Sequence, residues 1–247
     1  MDELLLKKRV LELRKRVEFT YGTEFTDFLT LSEIDTAKTV LNGCNFMFFG
    51  GLADTERQML CIANEEITLT PELFPISGVR IVPKNSKFSE PFSHRDVLGS
   101  VLGLGLERDV IGDIFIKEKE AYVLCAEHIA EFLAEQLIQV RHTNVICSVE
   151  EAKDTEFSKE YQTFSRTVSA VRLDSVTAAA FGVSRSSAAS AISGGKVFIN
   201  GREITAPAAA VKEQDVISFR GIGKARLKEI GSLTKKGRIV VTLERYQ

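Results

Sequence analysis

The sequence predicts an α+β protein built in parts, and three observations carry that reading. Four of its five prolines, Pro71, Pro75, Pro83 and Pro91, crowd into 71–91, where fixed φ angles and missing N–H donors interrupt regular structure. After that break, the apolar pattern switches between the strand and helix periods in the order βαββαβ, which describes a split-βαβ sheet with two helices on one face. Charge is divided along the chain: 172–247 holds 13 Lys/Arg against 6 Asp/Glu, whereas 1–171 holds 19 against 28. The 247 residues therefore divide into an N-terminal helical and mixed α/β region (1–75), a central split-βαβ domain (76–150), a polar linker (151–170) and a basic C-terminal module (171–247).

In the N-terminal region, 2–19 reads as an amphipathic helix, because Leu6, Val10, Leu13 and Val17 recur at spacings of four, three and four. The runs Lys7-Lys8-Arg9 and Arg14-Lys15-Arg16 fall mainly off that stripe and read as a solvated face. A second helix is expected after Ser32, through Ile34, Ala37 and Leu41, ending at Asn42-Gly43. Phe46-Met47-Phe48-Phe49 reads as a buried strand closed by Gly50-Gly51, and Met59–Ala63 as a further apolar run.

In the central domain, Val79–Val82 is a short strand. Ser93 caps a helix with Asp96 three residues on; the helix carries Val97, Val101 and Leu104 and ends at Gly103 and Gly105. Asp109–Ile116 and Ala121–Cys125 form a hairpin across Lys117-Glu118-Lys119-Glu120. Glu127–Val140 is a second helix with Ile129, Phe132, Leu133 and Leu137 facing in, and Val145–Val149 closes the unit. This ferredoxin-like order is shared by RNA-recognition motifs, whose signature is an aromatic pair on the central strands that stacks bases. Here the strands offer Phe115 and Tyr122 without the surrounding basic and glycine pattern. The RRM-like domain therefore reads as a scaffold or protein-contact module. The polar, acidic stretch 150–160 that follows reads as an exposed connection.

From residue 171 the sequence changes character. Leu173, Val176 and Ala180 face inward on a helix that opens at Arg172 and stops at Gly182. Ser184 caps a second helix running through Ala188, Ala189 and Ile192 to Gly194-Gly195. Lys196–Ile199 and Arg202–Ile204 flank Asn200-Gly201, a strong hairpin signal, and Val216–Phe219 and Ile239–Leu243 add two strands. A helix start carrying Ser184, Arg185 and Ser186 offers N–H groups, hydroxyls and a guanidinium to phosphate, and the hairpin brings Lys196, Asn200 and Arg202 towards it. Beyond Phe219, the two glycines of Arg220-Gly221-Ile222-Gly223-Lys224-Ala225-Arg226 lie among cations, a pattern suited to a phosphate-wrapping backbone nest. A DNA-reading helix-turn-helix would carry Arg, Asn or Gln along its second helix; after Arg185 this one offers Ser, Ala and Ile.

From Arg172 to Gly201 the text is R-L-D-x-x-x-A-x-x-x-G-V-S-R-S-x-A-x-x-x-I-x-x-G-K-V-x-I-N-G, continued by Val211-Lys212-x-x-Asp215-Val216-Ile217. Over 172–219 it resembles the RNA-binding domain of the ribosomal-protein S-four type. That resemblance implies that Arg172, Ser184, Arg185, Ser186, Lys196 and Asn200 face a folded RNA backbone, with Lys212 at the rim. Earlier segments extend the likeness: Phe28-Leu29, Phe49-Gly50-Gly51 with Glu56-Arg57, His94 through Gly105, and Ile111-Gly112-Asp113-Ile114. Together they resemble the YlmH family, in bacteria and plastids, with Leu52 departing from the usual aromatic after the glycine pair. The resemblance implies binding to the large ribosomal subunit near rRNA and tRNA, in rescue of stalled nascent chains. It also implies genes neighbouring those of cell division.

Other classes fit less well. No run approaches the roughly 20 apolar residues that span a bilayer, and the acidic start Met1-Asp2-Glu3-Leu4 is unlike a signal peptide, so a cytoplasmic protein with no membrane partner is expected. Cys44, Cys61, Cys125 and Cys147 form no C-x-x-C pair, and His94, His128 and His142 show no ligand spacing. No metal, cofactor or catalytic residue is expected. Neither an ATP signature nor a glycine-rich cofactor loop precedes the module, and His94-Arg95-Asp96 lacks the companions of a kinase catalytic loop. The leading expectation is a non-enzymatic factor for structured rRNA and tRNA. Behind it stand an adaptor recruiting a protein through 1–171 and an RNA-modifying enzyme with a site in 76–150.

Overall fold

The apolar stripe of the first twenty residues forms helix α1 (Glu3–Thr20), with Leu6, Val10, Leu13 and Val17 buried, in a computed structural model that describes residues 2–85, 87, 89–152, 157 and 159–246. Strand β1 (Thr23–Phe25), helix α2 (Leu31–Lys38), strand β2 (Asn45–Phe49) and strand β3 (Met59–Ala63) follow. The strands form a sheet in the order β1-β3-β2, with α1 and α2 sharing a core with Leu60 and Ile62. Helix α2 starts earlier than expected. Thr30, not Ser32, caps it, because the Thr30 and Glu33 side chains each bond the other's backbone N–H in a capping box. Strand β2 lies at the sheet edge and is only half-buried, with Phe46 exposed, in place of the buried strand expected there.

The central βαββαβ order is realised by β4 (Ile76–Pro83), α3 (His94–Leu102), β5 (Ile111–Lys117), β6 (Glu120–Ala126), α4 (Glu127–Gln136), a two-residue β7 (Gln139–Val140) and β8 (Thr143–Glu151). Their sheet runs β5-β6-β4-β8-β7 and is antiparallel throughout. Ser93 and Asp96 form the expected capping box on α3. Helix α4 ends before Val140, since Gln139 and Val140 turn back to pair with Asn144 and Thr143. Phe132 is exposed because it falls outside the stripe of Ile129, Ala130 and Leu133 that α4 buries. Phe115 and Tyr122 are buried beneath Phe157, whose ring stacks on Tyr122 at 5.3 Å and 15°. Gly78 makes room for this arrangement: a Cβ there would stand 1.9 Å from the Tyr122 hydroxyl, which donates to the Glu151 carbonyl at 3.1 Å.

The break near residue 75 separates two sheets but not two cores. Phe28, Met59, Cys61 and Phe74 pack in one cluster with Val79, Val97, Val123 and Leu133. Polar contacts stitch the same seam. Arg57 donates to the carbonyls of Phe28 (2.9 Å), Arg108 (3.1 Å) and Ile111 (2.9 Å). Asp113, 7% exposed, accepts from the N–H groups of Glu56 (2.7 Å) and Arg57 (3.0 Å). The chain thus forms two compact units, 1–158 and 159–247.

The second unit contains β9 (Tyr161–Val168), α5 (Leu173–Phe181), α6 (Arg185–Ser193), β10 (Val197–Ile199), β11 (Arg202–Glu203), β12 (Val216–Phe219), β13 (Gly223–Leu233) and β14 (Ile239–Tyr246). Its sheet order is β11-β10-β12-β13-β14-β9. Leu173, Val176 and Ala180 of α5 and Ile192 of α6 pack on Ile217, Ala225, Leu227, Val241 and Leu243. Two expectations are corrected here. Residues 161–168, expected within the 151–170 linker, are strand β9, paired with β14 along eight positions; the 153–156 part of that linker lies outside the described residues. Of the run expected as a phosphate-wrapping nest, residues 220–222 form the turn after β12, with Gly221 at φ +81°. The part from Gly223 on is strand β13, where Ala225 and Leu227 point into the core and alternate with Lys224, Arg226 and Lys228.

Asp113→Ala leaves two N–H groups of the seam without their acceptor. It is expected to destabilise the first unit by about 2–4 kcal/mol, read as a lowered midpoint in urea. An unchanged midpoint would show that the seam carries no weight.

Candidate nucleic-acid interface

Of the RNA-facing residues expected from sequence, Arg172, Ser184, Arg185 and Ser186 come together at the start of α6, and the reason is local. Gly182 takes a left-handed conformation (φ +69°) at the end of α5, so the chain reverses within two residues and delivers Ser184 to the N-cap of α6. The Ser184 hydroxyl accepts from the Ser187 N–H at 3.0 Å and lies 2.9 Å from the Ser186 hydroxyl and 2.7 Å from that of Ser187. Ser184, Arg185, Ser186 and Ser187 are all exposed. This is a solvent-facing helix start rich in donors, suited to an anionic oxygen.

Beneath it lies a residue that the motif contains but the expected interface did not. Asp174 is 4% exposed and receives Arg185 Nε at 2.8 Å and Arg172 at 3.4 Å on one carboxylate oxygen. Its other oxygen accepts the Ser175 N–H at 2.8 Å and the Ser175 hydroxyl at 3.3 Å. Burial pushes the Asp174 carboxyl up, but the Arg185 hydrogen bond and charge, the Arg172 charge and the Ser175 N–H outweigh it and hold it below its ordinary 3.8. Both arginine side chains remain about half exposed, at 41% and 50%.

The hairpin adds its own cations. Asn200 and Gly201 both adopt positive φ (51° and 82°), which a two-residue type I′ turn requires, and Lys196 and Arg202 flank it, exposed. Lys212 is exposed at the loop before β12, and its N–H donates to Asp215 at 2.8 Å. Arg220 follows β12, exposed, with its guanidinium 5.2 Å from the Phe198 ring centre.

Two expected contacts are redirected into the fold. Asn200 is 8% exposed: its amide donates to Asp215 at 2.9 Å and accepts from the Val216 N–H at 2.9 Å. Its amide is thereby engaged in holding the hairpin against β12. Arg226 is 14% exposed in its side chain and binds Glu244 through Nε at 2.8 Å, with its guanidinium 5.0 Å from the Tyr161 ring. Lys228 reaches the other Glu244 oxygen at 2.6 Å. Burial raises the Glu244 carboxyl, yet its bonds to Lys228 and Arg226 hold it below its ordinary 4.5. Lys224 is exposed, its ammonium 5.9 Å from the Tyr246 ring. The alternation of β13 puts it on the sheet face opposite the core, with Arg226.

Elsewhere the chemistry is quieter. Among the described residues no cluster of three or more His, Cys, Asp or Glu is arranged for a metal. Cys61 and Cys125 are buried and Cys44 and Cys147 half-buried, all as free thiols. Burial pushes the Cys61, Cys125 and Cys147 thiols up to about 11, 12 and 11, which keeps them protonated and unreactive. A cleft of about 290 Å³ in the first unit is lined by Arg9, Asp27, Glu33, Arg57, Arg108 and Asp109, among others. Arg57 and Arg108 both donate to backbone carbonyls there, and Arg9 pairs with Asp27 at 2.8 Å. No described helix is long and apolar enough to cross a membrane.

Two short helices set on a sheet behind an exposed cationic edge define an RNA-binding module. Comparison with known proteins agrees: residues 171–217 match the S4 domain, and residues 72–155 match the family described as "Putative RNA-binding domain in YlmH". The chain is 30% identical to the ribosome-associated protein quality control protein P2 of Bacillus subtilis (strain 168), over all of this chain and 96% of that protein. It belongs to the YlmH family. Among solved structures, the cell division protein ylmH from Streptococcus pneumoniae shares the fold, with a TM-score of 0.53 and 19% identity, covering 61% of this chain and 92% of that one. The S4 match ends at residue 217, so β9, β13 and β14 extend the second unit's sheet beyond it.

Acid titration tests the buried carboxylates. Both have folded values below their unfolded ones, so their stabilisation is complete above about pH 4.5 and is lost as pH falls through the lower folded values. The melting temperature of the second unit, followed by circular dichroism, is expected to fall only below that range. Glu244→Gln should remove part of the acid dependence. A fall between pH 8 and 6 would contradict the assignment.

Proposed function

We propose that this protein binds structured RNA on the large ribosomal subunit, rRNA together with tRNA, and acts there in quality control of stalled nascent chains. The face doing so is formed by Arg172, Ser184, Arg185, Ser186, Lys196, Arg202, Lys212 and Arg220. The observation that carries this reading is the grouping of exposed donors and guanidiniums at the α6 start, in a unit whose hairpin and loops present further exposed cations. Its charge and hydrogen-bonding capacity suit phosphates of a folded backbone, which are read by shape and not by base edges. The named role of the Bacillus subtilis relative, ribosome-associated quality control, supports the ribosomal setting, and the cytoplasm is where that setting lies. The protein works by binding, without catalysis.

A second reading concerns the first unit, whose sequence, 1–158, carries 17 Lys/Arg against 27 Asp/Glu. An acidic body joined to a basic module suits an adaptor: the second unit tethers to RNA while the first is held off it and meets a protein partner.

Co-sedimentation with purified ribosomal subunits across a salt series tests the RNA reading. About four to six phosphate contacts lower affinity roughly a hundredfold or more between about 50 and 200 mM salt. The wild-type chain is expected to pellet with large subunits at low salt, and an Arg185→Ala, Lys196→Ala double variant to stay in the supernatant. Equal behaviour of the two, or no binding by either, overturns the reading.

A further inference from the structure

A carboxylate in an RNA-binding face is an electrostatic liability. It repels the phosphates that the face attracts, and burial makes its charge harder to screen. Asp174 nevertheless sits directly under the two arginines that open the second unit's helices. Its four contacts, two to arginine and two to Ser175, occupy both oxygens, and at 4% exposure it presents almost no surface of its own. A carboxylate offers about four acceptor directions, so this one has little capacity left for anything else.

Its effect on the arginines is specific. Arg185 is gripped through Nε, so its two terminal amino groups, with four of its five N–H donors, stay available on a side chain that is half exposed. Arg172 reaches the same oxygen through one terminal nitrogen at 3.4 Å, and its Nε is buried without a partner. Arg172 comes from the N-cap of α5 and Arg185 from the first turn of α6, so one acid holds cations from two helices at a fixed separation. Arginine side chains otherwise lose substantial rotamer freedom when they bind.

We propose that Asp174 is a positioning residue for RNA: it holds Arg172 and Arg185 as a preformed pair of guanidiniums that grips the phosphates of a folded RNA backbone. The proposal deepens the RNA-binding reading above and rests on it. Preorganising two arginine side chains is worth about tenfold in affinity. The sign of the effect separates this role from simple electrostatics. Asp174→Asn removes a negative charge from a cationic face, which long-range attraction alone would turn into tighter binding. Positioning demands weaker binding.

The test titrates purified large ribosomal subunits with wild type, Asp174→Asn, Asp174→Glu and Arg185→Ala, each checked for folding by circular dichroism. Affinity is read at several salt concentrations. Asp174→Asn is expected to bind about tenfold more weakly, with a shallower salt dependence because fewer phosphates are matched. Asp174→Glu should recover part of the loss, and in an Arg185→Ala background the Asn substitution should have a much smaller effect. A purely structural Asp174 would lower the melting temperature and leave the salt slope of the folded protein unchanged. If Asp174→Asn does not fold, the side-chain Nε–H resonance of Arg185 in the free wild-type protein gives the answer. Slow exchange and a rigid order parameter support the clamp, and a mobile, fast-exchanging Nε–H overturns it. Wild-type binding together with equal or tighter binding by Asp174→Asn overturns the positioning role while the RNA reading stands. Failure of the wild type to bind overturns both.

Discussion

A carboxylate buried in a basic module has to be matched by cations, and in the second unit Asp174 meets that constraint with Arg172 and Arg185. Removing an ion from water costs several kcal/mol unless partners replace its hydration. Here the partners are Arg185, Arg172 and the Ser175 N–H. The requirement ties α5 to α6 across the turn at Gly182 and leaves the start of α6 exposed. Glu244 plays a parallel part across the sheet, collecting Arg226 and Lys228 from β13 onto β14. The basic charge of the unit is thus of two kinds. Some cations are held by buried acids, and others, such as Lys196, simply stand exposed.

The first unit uses the same device for a different end. Asp113 caps the N–H groups of Glu56 and Arg57, and the Arg57 guanidinium gathers three carbonyls from segments far apart in sequence. The motif residues around Gly50, Arg57 and Asp113 are accounted for by this seam, which joins the N-terminal sheet to the split-βαβ sheet across a shared core. The aromatic face of the larger sheet is closed: Tyr122 is fully buried and Phe157 lies over it. Base stacking of the RNA-recognition kind has no open platform at Phe115 and Tyr122.

Much of this was legible in the residues. Strong local signals read correctly: the α1 stripe, the Ser93–Asp96 box, the Gly182 stop, the Ser184 cap and the Asn200-Gly201 turn each depend on neighbours in sequence. The misses are tertiary. Strand β9 is polar on most positions because it is an edge strand, stabilised by β14 some seventy residues away, so its own text resembles a linker. Strand β13 was obscured by its cations, although the alternation of Lys224, Ala225, Arg226, Leu227 and Lys228 carries the strand period. The site was legible as a set of residue types but not as geometry. Asn200 and Arg226 look like RNA contacts in a list, and only the fold shows that Asp215 and Glu244 engage them. Asp174 stands in the motif, but its role depends on Arg185 from another helix, which spacing along the chain does not show.

RNA held at the α5–α6 face of the second unit, as proposed above, would leave a direct chemical trace. Ultraviolet cross-linking of the full chain to large ribosomal subunits, with the cross-linked peptides identified by mass spectrometry, tests it most directly. Nucleotide adducts are expected on peptides spanning 172–202, around Arg172, Arg185 and Lys196. Adducts confined to the split-βαβ sheet at 76–151, with 172–202 unmodified, would contradict it.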